Sequence, residues 1–79
     1  MSYITVLLVD GPGAGDKFTI QSELHAIALF DESGNTINRY TLHTFIWAGK
    51  AYWIGAIDLQ AVDQTRIPKM IYDAQLPPA

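Results

Sequence analysis

The sequence contains no cysteine, few charged residues and only two histidines. Without cysteine the chain can form no disulfide, no thiolate metal site and no cysteine nucleophile. Charged residues make up 16% of the chain and the bases form no cluster, so no surface for a nucleic-acid backbone is predicted. His25 and His43 lack the spacing of a ligand motif. We therefore expect no metal, no cofactor and no nucleic-acid partner.

Long apolar runs are also missing, and no basic leader precedes the first apolar segment. Neither a membrane anchor nor a standard secretion signal is predicted. The 79 residues are expected to form one small domain, 1–79, that buries only about three-fifths of its unfolded surface. Small domains gain further stability from disulfides, metals or association. Because the first two are not expected, association with copies of the chain or with another protein is predicted.

Five segments have the composition of β-strands, and one segment near the end has helical periodicity. The predicted strands cover about residues 3–9, 17–21, 26–31, 36–47 and 51–58, and the helix about residues 66–75. Thr65 is the predicted helix cap, and Pro68 is tolerated in the first turn. The predicted fold class is mainly β: a small five-stranded antiparallel barrel or sandwich, with a short C-terminal α-helix packed on one face of the sheet.

Two glycine-containing turns connect the predicted strands. Pro12-Gly13 suits a type II turn with positive φ at Gly13, which would pair the first two strands as a hairpin. A phosphate-binding loop is disfavoured because Asp16 interrupts the motif and a strand follows. The turn at Asp31–Asn35, with Gly34 in the left-handed conformation, joins the third and fourth strands. The last three strands are therefore predicted to form a meander.

The stretch Arg39–Ile57 holds five of the nine aromatic residues and is predicted to be a β-hairpin. A type II′ turn at Gly49-Lys50 would place Trp47 opposite Tyr52. Both faces of this hairpin are apolar, whereas a solvated antiparallel sheet alternates apolar and polar residues. The hairpin is therefore expected to need cover on both faces.

The tip of this hairpin is the predicted protein interface, because so short a chain can hardly bury nine aromatic residues alone. Exposed tryptophan and tyrosine residues are typical contact anchors. Core packing is the alternative, and it is favoured for Trp53 and Ile46. The interface prediction comprises Trp47, Gly49, Lys50, Tyr52 and Trp53.

One predicted group of side chains, Thr41, His43 and Asp58, resembles a catalytic site. In the predicted pairing, Thr41 lies opposite Asp58 and His43 lies diagonal to it, so that a carboxylate could orient a histidine base. Threonine is an uncommon nucleophile, no oxyanion-binding loop is evident, and a one-residue change of register would separate the three. We therefore predict that the chain is not an enzyme and has no small-molecule substrate.

The opening VLLVDGPGAG, the hairpin YTLHTF…GKAYWI and the short terminal helix resemble small proteins encoded among the head and tail genes of tailed bacteriophages. This resemblance implies a virion accessory protein, such as a capsid decoration (cement) or connector subunit. Its partners would be its own copies or a larger viral assembly, and its location the virion, or otherwise the cytoplasm. The alternative is a regulatory binding module, for example a phage-encoded inhibitor of a host protein.

Overall fold

A computed structural model of the chain describes residues 2–23, 26–30, 33–34 and 36–79. Most of the turn predicted at Asp31–Asn35 lies outside the described residues, and so does His25. Within that turn, Gly34 has a φ of 85°, which is the left-handed conformation predicted for it.

Five strands form one mixed, half-barrel sheet that is followed by a short helix, so the predicted mainly β fold is confirmed. In the sheet the strands lie in the order β2-β1-β5-β4-β3. The β1–β2 hairpin and the β3–β4–β5 meander are both present, as predicted. The strands are β1 (Tyr3–Leu8), β2 (Lys17–Gln21), β3 (Ala26–Phe30), β4 (Thr36–Trp47) and β5 (Lys50–Ala56).

One strand pair corrects the prediction of a fully antiparallel sheet. β1 and β5 run parallel, with Val6 opposite Trp53 and Leu8 opposite Gly55. Strands buried on both faces have continuous apolar sequences instead of alternation, and Val6, Leu7 and Leu8 are all 0% exposed. The apolar run thus reflects the interior position of β1, between β2 and β5. Since no turn links β1 to β5, the local sequence carries no signal for their relative direction.

The sheet is curled, because a short connection joins its two edge strands. β2 ends at Gln21 and β3 begins at Ala26, at opposite edges of the sheet. In a flat sheet the outer strands would lie about 19 Å apart, which is also roughly the full reach of the intervening chain. Residues 22–23 form a turn and are not extended. The edges must therefore approach each other, which gives the sheet an inner and an outer face.

Each face of the sheet has its own hydrophobic cluster. The inner cluster is centred on Val6, Leu8 and Tyr40, with Ile4, Phe18, Ile20, Ile27, Leu42 and Trp53 packed around them. The outer cluster joins the sheet to the C-terminal helix and comprises Leu7, Val9, Tyr52, Ile54, Ala56, Ile67, Ile71 and Leu76. The helix therefore covers one face of the hairpin, as predicted.

The helix α1 (Ile67–Ala74) follows two single turns of 3-10 helix, at Leu59–Ala61 and Gln64–Arg66. The prediction that Thr65 caps this segment is wrong. The carboxylate of Asp63 accepts hydrogen bonds from the backbone N–H of Thr65 at 3.1 Å and from its hydroxyl at 2.6 Å. Asp63, two residues earlier, thus caps the 3-10 turn at Gln64–Arg66 and binds the hydroxyl of Thr65 as well, while Arg66 at the start of α1 makes no capping hydrogen bond with its side chain.

The glycine-rich loop between β1 and β2 folds over the hydroxyl of Tyr40. The predicted positive φ at Gly13 is wrong, because Gly11 (66°) and Gly15 (92°) adopt that conformation instead. The N–H of Gly13 donates to the Tyr40 hydroxyl at 3.0 Å, and the hydroxyl donates to the carbonyl of Asp10 at 2.9 Å. A buried tyrosine hydroxyl needs such partners. The hydrogen bonds to Tyr40, which is distant in the sequence, therefore help to determine the conformation of the loop, and the local sequence gives no signal for them.

Candidate protein interface

The β4–β5 hairpin turns at Ala48-Gly49, which corrects the predicted turn at Gly49-Lys50. Both turn residues have positive φ, 53° at Ala48 and 76° at Gly49, as in a type I′ turn. Trp47 therefore pairs with Lys50 instead of Tyr52. The twist of a type I′ turn matches that of the strands, which offsets the strain at alanine. Because the register shift is by two residues, every side chain keeps its predicted face.

The tip of the hairpin extends beyond the paired part of β1. Among the described strands, β1 pairs with β5 only between Val6–Trp53 and Leu8–Gly55. Ile46 shares the inner face of the sheet, but it lies at the tip and is 66% exposed. The core packing favoured for Ile46 is therefore wrong, because the inner cluster ends before it reaches the tip.

The five residues predicted as an interface fall into three environments. Gly49 and Lys50 are exposed at the turn. Trp47 and Tyr52 lie together on the outer face with ring centroids 6.1 Å apart; Trp47 is half-buried, whereas Tyr52 is only 7% exposed. Trp53 is half-buried on the opposite face and packs against the inner cluster, in line with the core alternative. The prediction that Tyr52 is an exposed interface residue is thus wrong, because the outer cluster encloses its side chain.

A groove of about 450 Å³ separates the hairpin tip from α1. Trp47 and Tyr52 line its hairpin side, and Tyr72 stands on its helix side with 75% of its surface exposed. Sequence reasoning does not select Tyr72, although a signal exists: it is the aromatic residue of α1 that falls off the apolar stripe formed by Ile67 and Ile71. We define the tip surface as Ile46, Trp47, Gly49, Lys50 and Tyr72.

The three residues considered for catalysis are not assembled into a site. Thr41 pairs with Ala56 and not with Asp58, because of the register shift. The carboxylate of Asp58 accepts the backbone N–H of Gln60 at 3.2 Å, where it caps a 3-10 turn. In the described part of the chain, no three histidine, aspartate or glutamate side chains are grouped as metal ligands. The strand pairing therefore does not produce the predicted arrangement of Thr41, His43 and Asp58, since Thr41 lies opposite Ala56 and His43 lies opposite Ile54.

A second groove, of about 720 Å³, lies between the glycine-rich loop and α1. Two carboxylates along this groove make hydrogen bonds within the fold. Asp10 accepts a hydrogen bond from the backbone N–H of Ile57 at 2.8 Å, and Asp63 accepts hydrogen bonds from the backbone N–H and the hydroxyl of Thr65. Hydrogen bonds from the hydroxyl and N–H of Thr65, together with the charge of Arg66, lower the pKa of Asp63. The other charged residues along this groove are Arg66, Lys69 and Asp73.

Comparison of the chain with known protein families, with curated proteins and with solved structures finds no match. Among the described residues, no helix has the length and apolar character needed to cross a membrane.

Proposed function

We propose that this chain is a non-enzymatic assembly protein whose tip surface binds neighbouring protein subunits, first of all other copies of itself. The observation that carries the proposal is the apolar exposure on both faces of the tip: Ile46 is 66% exposed on the inner face, and Tyr72 is 75% exposed near the half-buried Trp47 on the outer face. Tryptophan, tyrosine and aliphatic side chains in such positions are typical contact anchors. Burying Ile46 and Tyr72 in a contact would contribute about 1–2 kcal/mol each.

Two properties of the chain support this proposal. A small net charge of −3 means that repulsion between copies is weak. The tip is also held in one conformation, because the type I′ turn fixes its backbone and the Trp47–Tyr52 ring contact fixes its outer face. A pre-ordered surface loses little conformational entropy when it binds.

The self-association constant of matched isoleucine variants tests the proposal. Ile46→Thr keeps a β-branched residue in the strand but removes apolar surface from the tip, so we expect about tenfold weaker association in sedimentation equilibrium. Ile57→Thr is the control, since Ile57 is 41% exposed and lies past the opposite end of β5. Equal association constants for the two variants would contradict the proposal.

We further propose that the assembly is a phage particle, in which the chain serves as a capsid decoration or connector subunit in the virion. The resemblance to head and tail proteins supports this assignment. Mass spectrometry of purified particles of the phage that carries the gene should find the chain in stoichiometric amounts. Its absence from particles would contradict this role.

The alternative of a regulatory binding module, such as an inhibitor of a host protein, is favoured by the second groove. There the charged residues Arg66, Lys69 and Asp73 line the groove together with the apolar Val62 and Met70. Early expression together with loss of host-protein binding in Arg66→Ala would support this alternative. Late expression with the structural genes would support the assembly role.

A further inference from the structure

We propose that the segment of residues 77–79 is a strap that limits self-association. In the single chain the strap covers the edge of β5 beside the hairpin tip, and it is released when a second copy binds there. This inference rests on the proposed function, because the strap regulates access to the tip surface. The strap follows Leu76, which is 5% exposed and belongs to the outer cluster. Its own residues are exposed, so it can open while Leu76 stays in the core.

One hydrogen bond holds the far end of the strap against the hairpin. The N–H of Ala79 donates to the carbonyl oxygen of Ala51 at 2.7 Å. Ala51 follows Lys50 of the tip surface, and among the described strands β1 pairs with β5 only from Trp53 onward. The strap therefore lies along the part of the β5 edge that β1 leaves unpaired. Because this edge is continuous with the tip surface, the chain that displaces the strap is a second copy bound at the tip.

The composition of the strap suits a cover that does not itself pair with another chain. Unpaired N–H and C=O groups on the edge of a sheet attract further strands, and proteins protect such edges with prolines and covering segments. Pro77 and Pro78 have no N–H, so the closed strap offers no donor at these positions to a neighbouring strand. Their fixed φ angles also reduce the conformational entropy that the segment loses when it closes.

The closed state of the strap is weak enough to be reversed by binding. A single hydrogen bond within a protein shifts an equilibrium by about two- to tenfold, because water competes for both partners. The open strap then makes up about a tenth to a third of the free chain. A second copy that binds only the open form has its affinity reduced by that fraction. Loss of the bond should therefore strengthen association by about fivefold for each strap that must open.

A pair of variants at Ala79 tests the inference in sedimentation equilibrium. Ala79→Pro removes the N–H that closes the strap. Ala79→Ser is the matched control, because it keeps this N–H and changes only an exposed side chain. We expect the association constant of Ala79→Pro to be about fivefold higher than that of the unmodified chain, and that of Ala79→Ser to stay within about twofold. Equal constants for the two variants, or weaker association of Ala79→Pro, would overturn the inference.

Amide hydrogen exchange gives a readout that a merely structural role would not change. The amide of Ala79 should lose protection as the chain associates, whereas that of Leu76, bonded to the carbonyl of Ile71, should keep it. An Ala79 exchange rate that stays constant during association would overturn the strap.

The two proposals fail in different ways. If Ile46→Thr and Ile57→Thr associate equally while Ala79→Pro associates more strongly, the tip surface is refuted and the strap stands. If Ile46→Thr weakens association but Ala79→Pro matches Ala79→Ser, the strap alone is refuted.

Discussion

Replacing Tyr40 with phenylalanine removes a single oxygen atom from the inner cluster and leaves the buried ring in place. Tyr40 is 0% exposed, so the substitution hardly changes apolar burial. Its hydroxyl accepts the N–H of Gly13 and donates to the carbonyl of Asp10, which together attach the glycine-rich loop to β4. The variant therefore isolates the contribution of these two hydrogen bonds.

The cost is dominated by the backbone N–H of Gly13. Gly13 is buried, and its hydrogen bond to Tyr40 is buried too, so the donor loses its partner. A buried, unsatisfied donor costs about 1–3 kcal/mol, and we expect Tyr40→Phe to destabilise the fold by about 2 kcal/mol. For a domain of this size, that corresponds to a fall in Tm of roughly 8–16 °C.

Urea denaturation followed by circular dichroism measures the effect, with Tyr3→Phe as the control. Tyr3 is 62% exposed, and its variant should change the free energy of unfolding by less than about 0.5 kcal/mol. The urea m-value should stay the same, because the surface exposed on unfolding is unchanged. A loss below about 0.5 kcal/mol for Tyr40→Phe would refute the role given to the hydroxyl.

Three further substitutions test local features of the fold. Ala48→Asn should raise the free energy of unfolding by about 0.5–1 kcal/mol, because asparagine tolerates positive φ in a type I′ turn; a loss would contradict the turn assignment. Gln75→Gly should give a similar gain at the left-handed helix end, where φ is 54°, and no gain would mean that this conformation is unstrained. Because the fold lowers the pKa of Asp63, its carboxylate stabilises the protein above about pH 4 and loses this effect as the pH falls through the lowered pKa. Asp63→Asn should flatten the acid end of the stability profile, and an unchanged profile would contradict the cap.

The faces of the hairpin are predictable from the sequence, but its register is not. Side chains alternate with a period of two, so Trp47 and Tyr52 share a face in either pairing. The register depends on which residues adopt positive φ. Ala48 gives no signal for that conformation, since non-glycine residues rarely adopt it. The nearby Gly49-Lys50 pair therefore suggests a turn one residue too late.

Long-range packing accounts for the other differences between the structure predicted from the sequence and the observed one. The parallel pairing of β1 with β5 joins segments far apart in the chain, with no turn to indicate their direction. The same pairing ends before the tip, which leaves Ile46 exposed, while the outer cluster encloses Tyr52. Local sequence shows which face a residue occupies, but it does not show how far the cover of that face extends.

Amide spectra recorded over a dilution series test whether the tip surface binds neighbouring subunits. We predict that the concentration-dependent shifts concentrate at residues 46–50 and at Tyr72, and that tumbling slows as the concentration rises. Control signals come from β2 (Lys17–Gln21), which lies at the far edge of the sheet and should not shift. Unchanged spectra, with the tumbling of an 8.8 kDa monomer at every concentration, would contradict binding through the tip surface.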